Sequence, residues 1–112
     1  MSRAASAVDA FHAVADANRR AMLDFLAQGE APVGALVEHA ALSYSAVSQH
    51  LAVLLGAGLV RRRQEGRQRL YRLDAAPLRE VARWASFYER FWTERLDRLG
   101  AFFEGRNRRR RP

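Results

Sequence analysis

Ser48-Gln49-His50-Leu51-Ala52-Val53-Leu54-Leu55-Gly56-Ala57-Gly58-Leu59-Val60 runs directly into Arg61-Arg62-Arg63. In the first part, Leu51, Leu54 and Leu55 recur at three- and four-residue spacing with Val47, the signature of a helix with one buried face. Gly58 is a left-handed stop for that helix. Beyond it, a basic segment begins with the residue types of a strand. A polar-faced helix abutting a basic hairpin suits a groove lined with phosphate, and the rest of the chain is read outward from this junction.

On the C-terminal side, Val60 to Gln64 and Gln68 to Leu73 are expected to be two strands. Glu65-Gly66-Arg67 is the turn between them, with Gly66 supplying a positive φ. Asp74 can cap a last helix that contains Pro77 in its first turn and runs to about Phe103. Along it, Leu78, Val81, Ala85, Tyr88, Trp92, Leu96, Leu99 and Phe103 form a coiled-coil-like seam. On the N-terminal side, Ser43 is a good N-cap for the helix over 44–57. Ala41-Leu42 is a short turn after a third helix over 33–40, which Pro32 can open. Asp16 can cap a second helix carrying Met22, Leu23, Phe25 and Leu26, and Val8, Phe11, Val14 and Ala15 space out a first. The expected order is α-α-α-α-β-β-α, a mainly α chain with a small β-hairpin in winged helix-turn-helix arrangement.

The chain has 112 residues, enough for one small domain, placed at 1–104, followed by a basic disordered tail over 105–112. The net charge is +7, and all 19 basic residues are arginine. Residues 61–72 and 106–111 each sum to +5, which leaves −3 for the rest. Such clustering is the footprint of a polyanion partner. There is no cysteine, so neither a disulfide framework nor a thiolate metal site can form. No apolar run approaches the length of a membrane span and no hydrophobic leader opens the chain, so a cytoplasmic protein is expected.

The helix over 44–57 presents Tyr44, Ser45, Ser48, Gln49 and His50 near its start. In a helix-turn-helix these positions meet base edges in the major groove, where Gln49 can pair bidentately with adenine. In the hairpin, Val60 and Tyr71 are expected to point inward and Arg61 and Arg63 outward. Alternation places Arg69 inward unless the twist near the tip frees it. Arg67, at the tip, suits a minor-groove or backbone contact. The blander alternative is a solvated charged edge that prevents aggregation.

His12, His39 and His50 lie on three helices without ligand spacing, so no metal site and no cofactor are expected. His50 is either a phosphate contact or a satisfied side chain. Phe11 and the seam residues Tyr88, Trp92, Leu96, Leu99 and Phe103 are read as core and homodimer interface. Trp84, Phe87 and Phe91 crowd the same helix, with a pocket for a small apolar effector as the alternative. No phosphate loop, nucleophile constellation or metal cluster supports catalysis, so the chain is not expected to be an enzyme.

The motif Ser48-x-His50-Leu51-x-x-Leu54-x-x-Ala57-Gly58-Leu59-Val60, with Gly66-Arg67 and Tyr71-x-Leu73 following, resembles the ArsR/SmtB-type winged helix-turn-helix repressors. Ala15-Asp16-Ala17-Asn18-Arg19-Arg20-x-Met22-Leu23-x-x-Leu26 is also similar, with Ala17 where proline is usual. The resemblance covers roughly residues 8–100. It implies a homodimeric repressor on an imperfect palindrome, paired through its first and last helices. It also implies that Tyr44, Ser45, Ser48, Gln49 and His50 lie on the DNA-contacting helix and Arg67 on the wing. The metal-sensing branch carries cysteines near the third helix or Asp/His ligands on the last. This chain has no cysteine and no histidine on its last helix, and so resembles the non-metal branch. The expectation is a cytoplasmic homodimeric transcriptional repressor of double-stranded DNA, with no membrane partner. The alternatives are a nonspecific architectural DNA-binding protein and a protein-interaction module built on the last helix.

Overall fold

The computed structural model of the chain describes residues 10–92. Its residues group into two compact units, one up to Val81 and one from Ala82. In the first unit the order is α1 (described over 10–14), α2 (Ala17–Leu26), β1 (Ala31–Pro32), α3 (Val33–Ala40), α4 (Tyr44–Gly56), β2 (Val60–Glu65) and β3 (Gln68–Leu73). Helix α5 (Leu78–Ser86) begins here and passes into the second unit. No helix of the described residues is long and apolar enough to cross a membrane.

The local chemistry that starts and stops each helix is visible. The Asp16 carboxylate accepts the Arg19 N–H at 3.1 Å and so caps α2. Arg19 and Arg20 in turn hold the end of α1, donating to the carbonyls of His12, Ala13 and Val14 at 2.7–3.0 Å. The Ser43 hydroxyl caps α4 by accepting the Ala46 N–H at 3.1 Å. At the other end Gly58, with φ 75°, lets two N–H groups turn back. Gly58 donates to the Leu55 carbonyl and Leu59 to the Leu54 carbonyl, the paired bonds of a Schellman stop.

Met22, Leu36, Val47, Leu51, Leu54 and Leu59 are fully buried, one or more from each of α2, α3 and α4 and the turn before the hairpin. Val60 and Tyr71 bring the base of the hairpin into the same cluster. Phe25, Val37 and Leu55, although apolar, only half enter it.

Two elements depart from the expected order. Ala31–Pro32 forms a third strand, and the sheet runs β1-β3-β2 with Ala31 opposite Tyr71 and Pro32 opposite Leu70. Two residues carry no periodic signal, so β1 exists only through its partner. The last helix is interrupted. Helix α5 ends at Ser86, Phe87 and Tyr88 form a turn, and helix resumes over 89–92. There the Ser86 hydroxyl donates to the Arg83 carbonyl at 2.8 Å, and Tyr88 and Phe91 N–H groups bond three residues back. These shorter bonds tighten the turn and break the expected single rod. Its expected continuation to Phe103, and the tail over 105–112, lie outside the described residues.

Candidate nucleic-acid interface

Helix α4 buries Val47, Leu51 and Leu54 and exposes the opposite row Ser45, Gln49, Ala52 and Gly56. Gln49 is the one long side chain in that row; a Cβ built on Gly56 would meet nothing. Ser48 is half-buried on one flank, and Tyr44 stands 64% exposed at the helix start. Tyr44 lines a cleft of about 520 Å³ with the first residues of α3 and with Gln64, Arg67, Gln68 and Arg69 of the hairpin. The start of α4 and the hairpin therefore share one basic cleft.

His50 occupies the other flank. Its Nδ1 lies 3.3 Å from an Arg19 guanidinium nitrogen. Guanidinium only donates, so Nδ1 accepts and the ring proton resides on Nε2. Of the two readings of His50, the structure shows a side chain with a protein partner. Arg19, absent from the expected site residues, is buried beneath it.

The strand register sorts the hairpin arginines. Val60, Arg62 and Gln64 face the same side as Leu73, Tyr71 and Arg69, while Arg61, Arg63 and Glu65 share the other side with Arg72, Leu70 and Gln68. Of the first side, Val60 and Tyr71 are buried in the core and Leu73 packs against it. Past them the hairpin overhangs, so Arg69 is exposed although alternation puts it on the inward side. Arg62 is exposed for the same reason, and the sequence reading passed over it.

Arg61 and Arg63 face outward as expected, but their charges are engaged. Arg61 donates to Asp74 at 2.9 Å. Arg63 makes a forked pair with Glu30 at 2.8 Å and meets Glu65 at 2.7 Å. The Arg63 hydrogen bonds hold the Glu30 carboxyl below its ordinary range, and the Arg61 bond does the same for Asp74, helped by the Ala76 N–H. Arg72 adds to both effects through space. Arg62, Arg67 and Arg69 have no carboxylate partner among the described residues. Arg72, on the side of Arg61 and Arg63, takes part in none of these ion pairs either, so the uncompensated charge of the hairpin lies at its tip and on both of its sides.

In the second unit, Trp84, Phe87, Tyr88, Phe91 and Trp92 are 39–62% exposed. Tyr88 packs edge-on against Trp84 and Phe87 at 5.3 and 5.0 Å, and the Arg90 guanidinium lies 4.8 Å over Phe87. Phe11, on α1, is 36% exposed. Leu96, Leu99 and Phe103 lie outside the described residues. Among the described residues no group of three or more His, Asp or Glu side chains could hold a metal ion.

Comparison with known proteins gives a consistent picture. A family model of bacterial regulatory proteins of the arsR family matches residues 16–62, from the cap of α2 into β2. The chain is 44% identical over 87 residues to the HTH-type transcriptional regulator Rv2034 of Mycobacterium tuberculosis, covering 78% of each protein. It is 31% identical to the transcriptional repressor SdpR of Bacillus subtilis over 66% of this chain and 82% of that protein. Among solved structures, an ArsR-like transcriptional regulator from Rhodococcus sp. RHA1 superposes with a TM-score of 0.64 at 30% identity, covering 89% of this chain and 92% of that one.

Proposed function

Because the chain belongs to the ArsR family of bacterial transcriptional regulators, we propose that it acts as a homodimeric repressor on an imperfect palindrome. It is a DNA-binding winged-helix protein and not an enzyme. In this reading α4 enters the major groove with the row Ser45, Gln49, Ala52 outermost, and Gln49 reads a base. Tyr44 and Ser48 flank that contact. Arg67, Arg69 and Arg62 lie along phosphates, while Arg61 and Arg63 add less because carboxylates already hold them. His50 serves the site from behind rather than on the DNA. Phe11, Tyr88 and Trp92 contribute to the dimer contact.

The observation that carries this reading is the shared concavity. A nonspecific binder needs only charge, whereas here the basic hairpin shares a cleft with Tyr44 at the start of α4, the helix whose exposed row carries a single amide able to read a base edge. The test begins with an operator selected from genomic fragments by the purified protein. Gln49→Ala should weaken operator binding by about 1–3 kcal/mol and leave random-sequence DNA nearly unaffected. Equal losses on both DNAs would instead support the architectural reading, in which affinity follows charge alone.

A further inference from the structure

We infer that Arg19 is a positioning residue for operator reading, acting through His50 to fix the roll of α4. The inference rests on the assignment of α4 as the DNA-reading helix. Arg19 is the one charged side chain buried among the described residues, 8% exposed. Desolvating a guanidinium is unfavourable unless its N–H groups find acceptors, and a well-packed apolar side chain would fill such a place with less penalty. All three directions of this guanidinium are used. Nε donates to the Ala13 carbonyl at 2.8 Å and one terminal nitrogen to the His12 carbonyl at 3.0 Å. The other terminal nitrogen donates to His50 Nδ1 at 3.3 Å, 31 residues away in sequence. The first two acceptors are at the negative end of α1, and the third is on α4. Asp16 closes the cluster by accepting the Arg19 main-chain N–H at 3.1 Å.

A planar fork fixed on two sides leaves its third partner little freedom. His50 follows Gln49 by one position, a rotation of about 100° around α4. A roll of α4 by about 20° would carry an amide ~6 Å from the helix axis through about 2 Å, beyond the tolerance of a bidentate hydrogen bond. The buried side chains below α4 fix which face is turned inward. Arg19 and His50 add a directional bond to that packing, and they tie α4 to α1. A shift of α1 would thereby reach the reading row without passing through the DNA contacts themselves.

The experiment uses the full chain, the selected operator and a random duplex of equal length. Arg19→Met and His50→Leu should each lower the ratio of operator to random-DNA affinity by about tenfold, with the double variant no worse than either alone. Random-DNA affinity should change by less than about twofold, because the free wing arginines remain. His50→Gln keeps an acceptor and should recover most of the ratio. In nitrogen-15 spectra the His50 ring should show the Nε2–H form with Nδ1 unprotonated, and Arg19→Met should alter that pattern. If Arg19→Met fails to fold, the His50 pair and the ring spectrum decide. A ratio unchanged in His50→Leu, additive losses in the double variant, or a ring protonated on Nδ1 would overturn the inference while Gln49→Ala still lowers the ratio. If Gln49→Ala also has no effect, the DNA-reading assignment fails and the inference with it.

Discussion

Ala41 ends α3 with φ 55° and ψ 37°, a left-handed conformation that places its Cβ against the following carbonyl. It is the turn of the helix-turn-helix, and its N–H still bonds the Val37 carbonyl at 3.0 Å. An alanine held there stores about 1–2 kcal/mol. Ala41→Gly should release that strain, less the larger freedom of glycine in the unfolded chain, for a net gain of up to ~1 kcal/mol. Ala41→Val should lose about as much or more, because a branched side chain tolerates this region poorly. Urea denaturation of both variants checks this, and a lower midpoint for the glycine variant would show the turn to be unstrained. The residues that bound α2 and α4 were legible because their chemistry is local: Asp16 and Ser43 cap, and Gly58 stops. Ala41 was read as a turn, but nothing in an alanine announces a left-handed backbone. Arg19 was invisible for a related reason. An arginine in a polar stretch reads as solvated until the end of another helix is known to lie over it.

At the scale of elements, the hairpin tests how far pattern reasoning reaches. Period-two alternation gave Arg61, Arg63 and Arg69 the sides on which the register places them, yet it could not say where the core ends or which carboxylates lie opposite. Glu30 is 33 residues from Arg63, and no spacing rule connects them. The consequence for binding is specific. Arg67→Ala or Arg69→Ala should each reduce the slope of log affinity against log salt by about one, on operator and random DNA alike. Arg61→Ala and Arg63→Ala should change it by less than about half as much, since their counterions are already protein carboxylates. Equal slopes for all four would mean that the ion pairs open on DNA. The break at Phe87 and Tyr88 shows the opposite failing. The apolar seam runs through it without interruption, so the sequence presents one helix where hydrogen bonds three residues back make two.

Across the whole molecule, acid should act on the surface contacts before the core. Hydrogen bonds from the Arg19 N–H, Arg63 and Arg61 hold Asp16, Glu30 and Asp74 below their ordinary values. The unfolded chain then binds protons at higher pH than the folded one. Their contribution is complete above the ordinary carboxylate range and fades as pH falls through the lowered folded values. The share of the denaturation midpoint that these carboxylates supply should be complete above about pH 5.5 and decline below about pH 4.5. Glu30→Gln should flatten part of that decline; an unchanged profile would mean that the Arg63 fork does not persist in solution. At the same scale, the exposed aromatic cluster is the surface that the proposed homodimer would cover with two-fold symmetry. Trp92→Glu should shift the protein toward monomer in sedimentation, with operator binding reduced far more than random-DNA binding. A dimer that survives with full operator affinity would move the interface toward Phe11.

The exposed row on α4 has a consequence of another kind. Ser45, Gln49, Ala52 and Gly56 touch no part of the core, so changes there fall among surface substitutions, which usually alter stability by about 0.5 kcal/mol or less. Buried positions of the same helix have no such latitude. A duplicated copy of this gene could drift at these four codons, acquire a new address on the chromosome, and keep its scaffold throughout. If α4 reads DNA as proposed, specificity is the most evolvable property of the protein, because it is written where folding does not depend on it.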